Sequence, residues 1–124
     1  MSATVIIPTT GSPEVKTAVE SVLNQSHPTE CYVIIDGDQH MDKTIESLGS
    51  TVDDIRVHIC SLPINVGANG FYGHRVYAAF THLINTEYVG YLDQDNWLYR
   101  SHIEQCIKTI NTRSLDWCYS LRQI

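Results

Sequence analysis

Five short apolar runs alternating with segments of helical periodicity predict an α/β protein, a Rossmann-like, doubly wound and mostly parallel sheet flanked by helices. The order read along the chain is strand, helix, strand, helix, strand, helix, strand, helix, strand. A second observation says where chemistry belongs. The first, second and fourth runs each end in polar or acidic groups: Thr9 and Thr10, Asp36 and Asp38, Asp93 and Asp95. Ligands of open α/β sheets bind in the crevice beyond the carboxyl ends of the strands, so these three ends predict one shared cleft for a nucleotide-type ligand.

The elements follow from local chemistry. TVIIPTT (Thr4 to Thr10) begins as a strand on Val5, Ile6 and Ile7, and Pro8 is expected to stop it, because proline cannot donate to a central ladder. Ser12 suits an N-cap, with Pro13 at the first helical position and Glu14 in the favourable first turn. Val15, Ala18, Val19, Val22 and Leu23 then share one face of an amphipathic helix that ends between Asn24 and Pro28. Cys31 to Ile35 has the continuous apolar character of a strand inside a parallel sheet, and it delivers Asp36, Gly37 and Asp38 to the same edge as Pro8 and Thr9. Asp42 to Leu48 reads as a short helix capped by Asp42. Ile55 to Cys60 alternates apolar and polar residues, which fits an edge strand with one exposed face.

LPINVGANGFYGHR (Leu62 to Arg75) carries Gly67, Gly70 and Gly73 among Asn65 and Asn69. It matches neither the dinucleotide fingerprint nor the phosphate-binding P-loop. It is either a surface loop or a place where a ligand or a neighbouring strand approaches the backbone closely. Val76, Ala79, Phe80, Leu83 and Ile84 form the buried face of the next helix. His74 and Arg75 at its start oppose the helix dipole, an arrangement that an anion nearby would explain. Tyr88 to Leu92 reads as a buried strand running directly into Asp93, Gln94 and Asp95. Ser101 with Glu104 makes a capping box for a helix that turns Ile103, Cys106, Ile107 and Ile110 inward, and Leu115 to Leu121 is a final strand. Without repeat, linker or low-complexity stretch, residues 1–124 are expected to form one domain.

Totals narrow the function. A net charge of −6, with no block of Lys or Arg, argues against nucleic acid as a partner. No apolar run is long enough for a membrane span, and the N-terminus lacks the pattern of a secretory signal. Cys31, Cys60, Cys106 and Cys118 lack the close pairing of zinc or disulfide frameworks, so they read as buried free thiols in a reducing, cytoplasmic setting. The acidic pair at Asp93 and Asp95 is the sharpest feature. Two carboxylates one residue apart repel each other unless a cation sits beside them. Mn²⁺ or Mg²⁺, which take oxygen ligands and share them with substrate phosphates, would fill that role. A solvated acidic turn is the other reading of the same residues.

Taken together, VIIPTT, AVESVLNQSHP, VIIDGD followed by Asp42-Lys43-Thr44, NVGANG and YVGYLDQDNW resemble, in order and spacing, the family 2 glycosyltransferases of GT-A fold. The resemblance covers nearly the whole chain and implies a role for each matching position. Pro8, Thr9 and Thr10 would line the nucleoside pocket, Asp36 would accept a hydrogen bond from the base, and Asn65 and Gly67 would belong to a loop closing over the nucleotide. Arg75 would be the cation near the base or diphosphate. Asp93 would sit near ribose and metal, Asp95 would hold Mn²⁺ or Mg²⁺, and Gln94 would shape the sugar pocket. Trp97 would either join Gln94 there or belong to the core. The family departs here at Asp36-Gly37-Asp38 and at Gly73-His74-Arg75-Val76, where a small residue, Arg and Asn would be usual.

The implied activity is metal-dependent transfer of a sugar, with inversion, from a nucleotide-sugar donor, UDP-linked, to a saccharide or other hydroxyl acceptor. The family's general base follows the acidic strand end. After Ile110 only Asp116 is available, and its place in a strand suits that role poorly, so this stretch is expected to hold the donor-binding half. A sugar nucleotidyltransferase would need a basic glycine-rich loop between Pro8 and Glu14. A receiver-like binding module would need paired acids after the first strand. The chain has neither.

Overall fold

The structure, a computed structural model, describes residues 2–121. Strands β1 (Ala3–Thr9), β2 (Thr29–Ile35), β3 (Val57–Ser61) and β4 (Tyr88–Tyr91) pair in parallel in the order β3-β2-β1-β4. Helices α1 (Val15–Leu23), α2 (Met41–Leu48) and α3 (His74–Thr81) lie in the three connections, and α4 (His102–Arg113) follows β4. The chain winds outward from β1 to β3, then crosses back to lay β4 on the other side of β1. The reversal leaves a crevice between the carboxyl ends of β1 and β4, where α/β sheets of this kind bind ligands.

Side chains of a strand alternate between faces, and here each face has its own core. Ala3, Val5 and Ile7 of β1 pack with Val15, Ala18, Val19 and Val22 of α1, Leu48 of α2, and Ile103 and Ile107 of α4. On the opposite face Ile6 and Ile34 meet Val76 and Phe80 of α3. The sheet is therefore doubly wound, as the alternating pattern predicts. Among the described residues, no helix is long and apolar enough to cross a membrane.

Several expectations need correction. Pro8 does not end β1; it pairs in register with Ile34 of β2. The reason lies in which way the peptide groups face. Ile6 C=O accepts from Leu92 on the β4 side, while Thr9 C=O accepts from Asp36 on the β2 side. Pro8 shares the orientation of Ile6, and the last rung of β4 is Tyr91 opposite Ile6. The donor that proline lacks thus falls beyond the end of β4, and no ladder bond is lost.

The strand before the acidic pair was expected to be buried. It is instead an edge strand within the described residues, half-buried, with Tyr91 52% exposed. Leu115 to Leu121 forms no strand, and Leu115, Trp117, Tyr119 and Leu121 are exposed. Trp117, Tyr119 and Leu121 line an open groove beside β4, and the stretch bonds back to α4, through Leu115 N–H to Ile110 C=O and Cys118 Sγ to Cys106 C=O; it has the alternation of a strand but, among the described residues, no strand to pair with. Leu83 and Ala79 are exposed, because α3 is short and buries only Val76 and Phe80. Asp42 is in the first turn of α2, behind a 3-10 turn over Asp38–His40, rather than its cap. Of the cysteines, which are free thiols, only Cys31 is buried; Cys60 lies on the outward side of the edge strand β3.

Candidate functional site

The ends of β1, β2 and β4 meet at a cleft of about 460 Å³, and the loop between β3 and α3 forms its fourth wall. Pro8, Thr9 and Thr10 enter from β1, Asp36 from β2, Asn65 and Gly67 from the glycine loop, and Asp93, Gln94 and Asp95 from β4. Sequence reasoning missed Tyr72, Gly73, His74 and Tyr77, which complete the lining. His74 drew notice as a cation at a helix start, but nothing local marked Tyr77, whose place depends on how α3 docks.

Asp36 is 3% exposed and holds the glycine loop in place. Its Oδ1 accepts from Val66 N–H at 2.7 Å and its Oδ2 from Gly67 N–H at 2.8 Å. Asn65 Oδ1 also accepts from Gly67 N–H, at 3.1 Å. Each Asp36 oxygen retains a second lone pair for a ligand. Replacing Asp36 by Ala would strand the Val66 amide and leave Gly67 N–H to Asn65 alone, so Asp36→Ala is expected to cost about 1–3 kcal/mol, measured by urea unfolding. Unchanged stability would show that the loop does not depend on this carboxylate.

The requirement for Gly67 is steric rather than conformational. Its φ is −84°, which any residue adopts, but a Cβ there would sit 2.1 Å from the Tyr72 carbonyl oxygen and 2.7 Å from Asp36 Oδ2. The loop returns on itself at Tyr72, whose N–H donates to Gly67 C=O and whose φ is +50°. A close backbone approach therefore explains the glycine.

Gln94 faces the β1–α1 loop. Its Oε1 accepts from Thr9 Oγ1 (2.7 Å), Thr10 N–H (3.0 Å) and Ser12 N–H (3.3 Å). The side chain expected to shape a sugar pocket thus serves first as a brace between two walls of the cleft. Ser12 caps no helical amide beyond Glu14, and α1 begins at Val15, so the residues expected in its first turn instead form the turn that Gln94 holds.

The two carboxylates differ. Tyr77 Oη donates to Asp93 Oδ1 at 2.7 Å, while both Asp93 and Asp95 are exposed in the lining. Burial, followed by the bond to Asp93 and the charges of Asp93 and Asp95, pushes the Tyr77 phenol well above its ordinary range, so it stays a donor at working pH. Among the described residues no group of three or more His, Cys, Asp or Glu converges as a metal cage. A pair of carboxylates at the mouth of a cleft fits a hard cation that takes its remaining oxygens from a diphosphate and water.

Arg75 is placed outside the lining. Its guanidinium carbon lies 3.4 Å from the centre of the Phe71 ring, and Nη1 donates to Val66 C=O at 3.4 Å. Through these two contacts it braces the glycine loop rather than lining the cleft. Trp97 is 57% exposed against Tyr99, which rules out a core position, and it lies in the groove beside β4 rather than in the cleft.

The chain resembles solved structures in fold. Crystal structures of S. aureus TarS superpose with a TM-score of 0.70 at 20% identity over 92% of this chain, and, for TarS 1-349, with 0.75 at 17% identity over 99%. TarS 1-349 in complex with UDP gives 0.73 at 19% identity over 92%. The chain covers 20%, 39% and 33% of those chains, respectively. No curated protein matches it. These likenesses establish the GT-A type of sheet, and residues 4–122 match the profile of glycosyl transferase family 2. A match across almost the entire sequence, on a sheet whose strand ends carry the acidic pair, shows that the chain belongs to glycosyl transferase family 2.

Proposed function

We propose that these 124 residues are the nucleotide-sugar-binding half of a glycosyltransferase that uses a UDP-sugar and a divalent cation and inverts the anomeric centre. The observation that carries this reading is the charge of the cleft. Among the described residues its lining holds Asp36, Asp93 and Asp95 and no Lys or Arg. A diphosphate entering such a site meets three carboxylates, so a cation must supply the opposing charge. The UDP complex of TarS, on the same fold, supports uridine as the nucleoside.

In this reading Pro8, Thr9, Thr10 and Asp36 hold the base and ribose, and Asn65 and Gly67 present the loop that covers them. Asp93 and Asp95 hold Mn²⁺ or Mg²⁺. Bound there, the cation would stabilise the charge that grows on the diphosphate as the sugar leaves. Tyr77 bonds one oxygen of Asp93, which would leave the other to hold the cation. The acceptor is a saccharide or another hydroxyl compound. Asp116, exposed beyond α4, is not assigned as its base. Free thiols at all four cysteines support a cytoplasmic site of action.

Calorimetric titration tests the reading. UDP is expected to bind in the presence of Mn²⁺ and to lose most of its affinity when EDTA removes the metal. Equal affinity with and without metal would remove the cation from the account, and no affinity in a folded protein would remove the nucleotide.

A further inference from the structure

The segment Ser21-Val22-Leu23-Asn24-Gln25 lies at the far end of α1 from the cleft's β1 wall, and nothing in the donor site so far uses it. Ser21 and Gln25 are four residues apart, so their side chains lie on the same side of the chain at the helix end. Both reach the stretch that follows the acidic pair. Ser21 Oγ accepts from Leu98 N–H at 3.1 Å while donating to Ala18 C=O at 2.7 Å. Gln25 Oε1 accepts from Ile103 N–H at 2.9 Å, and its Nε2 donates to Tyr99 C=O at 2.7 Å and Ser21 C=O at 3.0 Å. Only this orientation of the amide satisfies all three partners. The backbone adds a further tie, Ser26 N–H to Arg100 C=O at 2.8 Å.

These contacts also explain the start of α4. Ser101 stands at its N-cap, yet no side chain of its own turn makes a capping bond there. The orphan amide at Ile103 is met instead by Gln25, two residues past the end of α1. On the near side of the acidic pair, Gln94 is tied to the β1–α1 loop. Asp93 and Asp95 thus sit on a span anchored at both ends to α1 or the loop before it.

Resting on the donor-site reading above, we infer that Ser21 and Gln25 are positioning residues that set the placement of Asp93 and Asp95 by clamping residues 98–103 to α1. They touch neither donor nor metal. Their effect should fall on the cation–diphosphate part of binding, and the nucleoside part, built on β1 and β2, should escape it.

The test compares wild type with Gln25→Ala, Ser21→Ala and Gln25→Glu, which keeps the acceptor for Ile103 but loses both donated bonds. Affinities for UDP with Mn²⁺ and for uridine alone are measured at a temperature where all are folded. Gln25→Ala is expected to weaken Mn²⁺-dependent UDP binding about tenfold, the lower end of what outer supporting residues of metal sites contribute, and to leave uridine unchanged. Hydrogen exchange over residues 93–103, with no ligand, is expected to speed up while β1 stays protected. Parallel weakening of UDP and uridine would reduce the clamp to general stability. Unchanged UDP affinity, or unchanged exchange, in both Gln25→Ala and Ser21→Ala would overturn it. If the wild type itself binds no UDP, the donor-site reading fails and takes the functional half of this inference with it; exchange still decides the clamp.

Discussion

Asp95→Ala is expected to lower the Mn²⁺-dependent affinity for UDP by more than about 100-fold, since even outer supporting residues of metal sites are worth 10–100-fold and Asp95 is assigned as a direct ligand. The effect should exceed that of any change at Tyr77, which acts through Asp93. Asp95 is exposed and makes no hydrogen bond that holds a wall of the cleft together, so its loss should leave the unfolding midpoint near that of wild type. That separation gives the experiment its force. Calorimetry of UDP with Mn²⁺ measures the affinity, and thermal unfolding controls for structure. Wild-type affinity in a folded Asp95→Ala protein would mean that the acidic pair is a solvated turn.

Gly67→Ala should be the most damaging small substitution in the cleft. One methyl group placed 2.1 Å from a backbone carbonyl oxygen cannot be relieved by turning a side chain. The loop must shift, and in shifting it gives up the bonds from Val66 and Gly67 to Asp36. Overpacking alone costs about 1–3 kcal/mol, and here the lost bonds add to it, so destabilisation of about 3 kcal/mol or more is expected by chemical unfolding. Gly70 provides the contrast. Its φ is +90° and no heavy atom lies within 4 Å of an added Cβ, so Gly70→Ala pays only the conformational strain, about 1–2 kcal/mol. Equal effects at the two positions would show that the loop needs glycine for flexibility rather than for close approach.

The elements legible from sequence were those whose signal is carried by their own residues. The inward face of α1 is the set Val15, Ala18, Val19 and Val22 read from periodicity, and the apolar run through Ile35 is β2. The alternation read over Ile55 to Cys60 reappears in the edge strand β3, Val57–Ser61, with Val57 and Ile59 on the inner side, but Ile55 falls before the strand and is exposed. Errors gathered where a residue's state depends on its neighbours in space. Pro8 was misread because nothing local says that β4 stops short of it. The capping box at Ser101 and Glu104 was a sound local pattern, but Gln25, 78 residues away from Ile103 in sequence, takes the bond.

By itself the sequence determined the alternating α/β order and the delivery of Thr9, Asp36, Asp93 and Asp95 to strand ends. Those properties follow from periodicity and charge, which are local. Only the tertiary structure decided that Asp36 pins the glycine loop, that Arg75 stacks behind it on Phe71, that Tyr77 reaches Asp93 and that Gln94 ties the walls together. Each of these depends on a hydrogen bond or ring contact whose partner is chosen by how helices dock on the sheet, and packing of that kind leaves no periodic trace along the chain.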